Sequence, residues 1–514
     1  MAQRLGLIFL SLWVAFLVGS SLYGSWKEPQ PQGAISLYQT NLTLQALEWE
    51  GLAAQSEEVK EAVFGQNPVG SAITQYGKVK ASILSTTPSL SATLEADKDV
   101  KVSKKDLQSR ESLDQLNLSL GILESSLGHD QAARAYWKEI EEAPYTSAQH
   151  RQLQGTVAVL TAQNGTDQPL SDRETILRNN LSGWFQTQSL ETLFEAAGNE
   201  AELAALQTQK EKQAISAIER LLVAVGLPLI GSIAGLILLI VWGINTTRSF
   251  LGVTNQSPED YLKPDQPTEN SPEISPSLGL AVPWSFDTFW LTMLLWFFAF
   301  FAVSLVIPLS LQLTFGEAIT ATARGQSLLA LANYSGLVVA GLGLLTYMTQ
   351  KHIDNFFQWL PIQFKGAWVK WGLGGYVAAL PLVLAISLIN QKLIGEKGGG
   401  NPLLDIILQT HDIGTWFILL VMVSVLAPIF EEIVFRGFAL TSLSRYLPIG
   451  GAIATSAALF AVAHLNIADF LPLFVLGSIL GTIYTQSRNL LSSILLHSRW
   501  NGAQLIELLY LSGN

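Results

Sequence analysis

The sequence contains no cysteine, which removes disulfides, zinc-thiolate sites and thiol nucleophiles together. Charge is also scarce. Only 14% of the 514 residues are Asp, Glu, Lys or Arg, against 49% hydrophobic residues and a mean hydropathy of +0.32. That composition describes a membrane protein larger than one ordinary domain. Positive charge is in deficit, with a net charge of -11, so the basic surface that nucleic acid requires is missing. The HExxH signature of helical zinc proteases is absent as well.

Long apolar runs are what the chain does have. Residues 5–23 follow Arg4 and match the length of a bilayer span. Residues 1–26 therefore read as an uncleaved anchor, with a signal peptide cut near Val18-Gly19-Ser20 as the alternative. Residues 27–217 are polar and acidic and read as amphipathic helices in an extramembrane domain. Leu120 and Gly121, then Ala133, Trp137 and Ile140, with Pro144 closing, resemble a tetratricopeptide unit, in which small residues let two antiparallel helices approach. Repeats of this kind would bind a peptide or protein partner; a plain helical bundle is the other reading. Residues 42–63 and 191–213 suit further hairpins, and 82–106 suit a loop.

A second span follows at 218–245, where Gly231-xxx-Gly235 offers a close packing face. Residues 246–284 are rich in Pro, Ser and acidic residues and read as a disordered linker. The remainder, 285–514, is a multi-span core with apolar stretches at 286–313, 327–348, 371–393, 415–430, 449–464, 471–485 and 490–511, nine spans in all. The fold class is thus all-α, a polytopic transmembrane bundle with an N-terminal helical domain, at home in membrane lipid of a prokaryote or organelle. With the N-terminus inside, Arg248, Lys263, Lys351, Lys365, Lys370, Arg436, Arg445 and Arg488 share the cytoplasmic-type side, Arg324, Lys392 and Lys397 fall opposite, and residues 27–217 lie outside.

One segment, 428–437, breaks the apolar pattern by placing Glu431, Glu432 and Arg436 directly behind an apolar run. A charge in such a setting costs on the order of 3 kcal/mol or more unless partnered. From Thr415 onward the only acidic residues are Glu431, Glu432, Asp469 and Glu507, so half of them occupy one helical turn. Glu432 and Arg436 are four apart, as are Phe460 and His464, and His497 and Asn501; each pair shares a helix face. A buried ion pair that only locks packing is the bland reading of each alone. Two carboxylates, two histidines and an asparagine on three late helices point to chemistry.

In order and spacing, Glu431-Glu432-xxx-Arg436, Phe460-xxx-His464 and His497-xxx-Asn501 resemble the three motifs of the CPBP family, which includes the CAAX prenyl endopeptidases and the bacterial Abi proteins. The resemblance covers residues 370–511. It implies peptide-bond hydrolysis within the membrane: a water held between Glu431 and His464 loses its proton to the carboxylate, while His497 and Asn501 donate to the developing oxyanion. Glu432 with Arg436 would support them. The competing mechanism is a divalent metal such as zinc, held by Glu431, His464 and His497. Other functions compatible with the sequence are a transporter, to whose packed spans Gly372-xx-Gly375 and Gly477-xxx-Gly481 are suited, and a non-catalytic scaffold that recruits a partner through 27–217.

The protease reading makes one geometric demand. Were the span to stop at Phe430, Glu431 would sit at one membrane face and His464 near the other, roughly 20 Å apart at ~1.5 Å rise per residue. The helix must therefore continue through Phe438, Leu440 and Leu443.

Overall fold

The computed structural model describes residues 2–27, 32–86, 104–143, 145, 147–162, 168–250, 282–394, 403, 406–407, 410 and 412–512. Among these the chain is helical and contains no strand. It forms two compact units, one of residues 1–30 with 226–512 and the other of residues 31–225. Helix α1 (Ala2–Lys27) belongs to the first.

The second unit holds α2 (Gln32–Ala46), α3 (Glu57–Phe64), α4 (Pro68–Thr86), α5 (Lys104–Ser126), α6 (Asp130–Glu141), α7 (Ala148–Thr161), α8 (Leu170–Asn180), α9 (Gly183–Ala197) and α10 (Glu200–Leu221). The small/large spacing has a physical basis in the hairpin of α5 and α6. A Cβ on Gly121 would lie 2.0 Å from the Trp137 indole nitrogen, so only glycine admits the ring. Trp137 then donates to the Leu118 carbonyl, and Leu120, Leu123, Ala133 and Ile140 complete the core around it. The loop expected at 82–106 is shorter than that range, since α4 runs to Thr86 and α5 starts at Lys104; 87–103 fall outside the described residues. Beneath the surface, Asp114 accepts hydrogen bonds from the Tyr145 hydroxyl and His150 Nδ1, the latter at 2.6 Å. Burial pushes the Asp114 carboxyl above its ordinary value, while the bonds from Tyr145 and His150 pull it back in part.

The first unit continues with α11 (Leu227–Phe250), α12 (Phe286–Phe315), α13 (Ala323–Thr349), α14 (Phe356–Trp359), α15 (Trp368–Ile394), α16 (Ile413–Leu443), α17 (Ile449–Ala463), α18 (Phe470–Ser487) and α19 (Leu490–Ser512). The linker reading falls on 246–284, of which 251–281 lie outside the described residues; α11 itself reaches Phe250. Seven helices among the described residues are long and apolar enough to cross a membrane by length and composition. The two further spans expected from the sequence exist as helices outside that set. One, α17, has only 15 residues, and α19 is diluted by His497, Arg499 and Asn501.

Small residues set the helix spacing. On α11, a Cβ at Gly235 would lie 2.1 Å from the Val377 carbonyl oxygen of α15, and one at Gly231 would lie 2.7 Å from Leu380, as a Gly-xxx-Gly face requires. Gly372 and Gly375 of α15 admit Leu495 and Leu496 of α19 in the same way. The first helix packs into this unit too: Ser11 Oγ accepts from Trp290 Nε1 at 3.0 Å and Ser25 Oγ from the Ile467 amide at 3.3 Å.

Helix α16 meets the geometric demand. It spans 31 residues, and every residue from Ile433 to Leu443 is buried. The aromatic core of Trp284, Phe289, Phe435, Phe438, Phe460 and Tyr484 encloses it. Glu431 and Glu432 thus sit within the bundle.

Candidate active site

Two stretches of α16, Met422–Leu426 and Ile433–Leu440, are π-wound, a departure from α-geometry that recurs at functional sites. The first has a cause in the sequence. The Ala427 amide bonds the Met422 carbonyl five residues back; the next donor in that register, at Pro428, does not exist because proline has no N–H. The Val423 carbonyl is left over, and Asn501 Nδ2 on α19 caps it at 3.0 Å. In the second stretch, the Phe435 carbonyl accepts from Ser456 Oγ at 2.7 Å and the Arg436 carbonyl from Thr441 Oγ1 at 3.0 Å. Side chains thus satisfy backbone acceptors that regular winding would have used.

Glu432 is fully buried, and its Oε1 accepts from both Arg436 Nη1 at 2.7 Å and His497 Nδ1 at 2.9 Å. Arg436, equally buried, also donates to the Gly477 carbonyl at 3.0 Å and lays its guanidinium 4.5 Å from the centre of the Phe460 ring. Gly477 tolerates no side chain without crowding Ala457, which explains why this backbone reaches the arginine. Glu432 and Arg436, the expected support pair, form a fully buried ion pair.

Glu431 differs from its neighbour. Its side chain retains 16% exposure where that of Glu432 has none, so a reacting molecule could reach only the former. Its Oε1 accepts from the Tyr334 hydroxyl at 2.8 Å, and its Oε2 lies 3.8 Å from His497 Nε2. The latter gap is too long for a direct hydrogen bond and suits one water in contact with both atoms. Since Nδ1 of His497 gives its proton to Glu432, the neutral ring has its lone pair on Nε2, toward Glu431.

The structure therefore brings Glu431, Glu432, Arg436 and His497 into one network. His464 stands apart from it. At the end of α17 its Nδ1 bonds the Phe460 carbonyl at 2.8 Å, it is exposed, and its link to His497 is the shared Phe460 ring, with centroids at 4.8 Å and 5.6 Å. The ring nitrogen left free is Nε2. Leu465, the next residue, adopts φ 54°, a left-handed conformation that a branched side chain seldom takes. One of the two amide hydrogens of Asn501 serves the Val423 carbonyl. As for a metal, among the described residues no three His, Asp or Glu side chains are grouped to hold an ion, and the one hydrogen bond given for His464 goes to the Phe460 carbonyl. The proposed ligand set of Glu431, His464 and His497 does not fit a metal as it stands.

Sequence reasoning missed Tyr334 on α13. The adjacent polar pair Asn333-Tyr334 within an apolar helix was the available signal.

Within the apolar bundle, the carboxylates and guanidinium of α16 thus meet an imidazole from α19 and a phenol from α13. Residues 413–503 match the family model described as Type II CAAX prenyl endopeptidase Rce1-like. An Rce1-like domain thus contains all three motifs, and with seven apolar helices among its described residues the chain is an integral multi-pass membrane protein. No curated protein and no solved structure matches the chain.

Proposed function

We propose that the protein is an intramembrane endopeptidase that hydrolyses peptide bonds of membrane-associated substrates. The observation that carries this reading is the pair of glutamates with opposite environments, one sealed by an arginine and a histidine, the other left reachable beside that histidine. Glu431 is the general base. It takes a proton from a water near Oε2 as the water oxygen attacks the scissile carbonyl, and passes that proton to the departing amine. Glu432 holds His497 through Nδ1 and so directs Nε2 at the reacting atoms, while Arg436 offsets the buried charge. His464 contributes its unengaged Nε2 from the Phe460 side. The second amide hydrogen of Asn501, with His497 when protonated, donates to the oxyanion, a contribution of about 3 kcal/mol per donor.

Comparing the proteomes of cells carrying wild-type or Glu431→Gln protein tests the reading. Loss of a C-terminal or juxtamembrane fragment, with cleavage reduced about 10²–10⁴-fold and protein level unchanged, is the expected result. An unaltered proteome and phenotype would favour the scaffold reading, in which the helical domain 27–217 recruits a partner.

A further inference from the structure

We infer that Tyr334 is a positioning residue of this site, supplied by a helix outside the Rce1-like segment; the inference rests on Glu431 acting as the base. The hydroxyl of Tyr334 donates to Glu431 Oε1 at 2.8 Å, and its ring meets Phe430 edge-on, with centroids 6.1 Å apart and planes at 89°. His497 Nε2 approaches the other oxygen, Oε2. Each oxygen of the carboxylate thus faces a different group. The terminal torsion of a glutamate is broad and nearly two-fold, so without a donor on Oε1 either oxygen could turn toward His497 and the plane of the carboxylate would wander.

Close packing mounts Tyr334. A Cβ on Gly341 of the same helix would lie 2.7 Å from Phe430 Cζ and 3.1 Å from Trp296 Nε1, so α13 and α16 are in contact at the residue before the glutamate. At its start, α13 holds α16 again: Arg324 Nε donates to Asp412 Oδ2 at 2.8 Å, Nη2 donates to Oδ1, and Asp412 caps α16 by accepting from the Thr415 amide. A phenol hydroxyl among apolar side chains costs free energy unless it is bonded, and packing alone would be served by phenylalanine. The groups facing Glu431 are Glu432 and Arg436 on its own helix, His497 on α19 and Tyr334 on α13.

A donor to the ionised carboxylate favours that form. In Tyr334→Phe, the acidic limb of the pH–rate profile should move to higher pH by about one unit, and kcat should fall about tenfold at unchanged KM, the scale of one hydrogen bond to a charged group. The measurement uses the full chain in proteoliposomes and an internally quenched, membrane-anchored peptide in farnesylated and unmodified forms, with Glu431→Gln alongside. Replacing Tyr334 by 3-fluorotyrosine keeps the packing and strengthens the donor, so the limb should move to lower pH; this variant decides the matter if Tyr334→Phe does not accumulate. Wild-type kcat and an unmoved limb in Tyr334→Phe, or an unmoved limb with fluorotyrosine, would overturn the inference while Glu431→Gln stays inactive. Cleavage persisting in Glu431→Gln would instead remove the protease reading itself.

Discussion

At the scale of residues, the site is built on unequal burial of two neighbouring acids. Glu432 has its charge offset by Arg436 and its Oε1 bonded by His497, with no exposed side-chain surface, where removing one partner of an ion pair leaves the other uncompensated. Arg436→Met should therefore lower stability by about 3–5 kcal/mol, read as a fall in the melting temperature of the detergent-solubilised protein. Glu431→Gln should leave that temperature nearly unchanged, since the amide keeps an oxygen for Tyr334 to bond. The contrast was half visible in the sequence. The cost of charge in an apolar run singled out Glu431, Glu432 and Arg436, and their i, i+4 spacing paired the last two. Spacing within one helix carries no information about contacts across helices; the water shared by Glu431 and His464 was expected from the family resemblance, and His464 makes its contacts with Phe460.

At the scale of elements, the boundaries of most spans could be read from hydropathy, but not their winding. Both π stretches depend on where leftover carbonyls find partners, and two of those partners, Asn501 and Ser456, lie on other helices. Pro428 was the legible clue, and it leads to a specific expectation. Asn501→Ala should cost about 1–3 kcal/mol by stranding the Val423 carbonyl, whereas Pro428→Ala restores a backbone donor. The double variant should then lose less stability than the single losses add up to, a coupling that a double-mutant cycle of melting or denaturant data measures. Simple additivity would show that the proline and the asparagine are unrelated. A tight helix contact offers a second check: Gly235→Val drives a side chain into the Val377 carbonyl of α15, and should destabilise the bundle by at least the 1–3 kcal/mol typical of overpacking.

At the scale of the whole molecule, the two units differ in composition, one polar and one apolar. In the polar unit, Asp114 is buried with Tyr145 and His150 and its carboxyl is raised above the ordinary 3.8. A raised carboxyl favours the fold below that ordinary value, and this contribution is lost as pH climbs through the raised one, because the folded state then resists ionisation. The advantage of Asp114→Asn over wild type should accordingly grow as pH rises through that window, as followed by limited proteolysis within α5 and α7 of the full chain. The reading of 27–217 as helical hairpins was accessible because Gly121 and Trp137 already stated their fit in one dimension. The Asp114 network was not, since Tyr145 and His150 carry no periodic signature.

The leading helix α1 reaches, through Ser25, the amide of Ile467, three residues beyond His464. The turn that presents this imidazole is therefore moored to the opposite end of the polypeptide. A chain shorn of residues 1–27 would leave that amide and the Trp290 indole with dangling donors, and the histidine would lose its fixed bearing even though every motif residue remained in place.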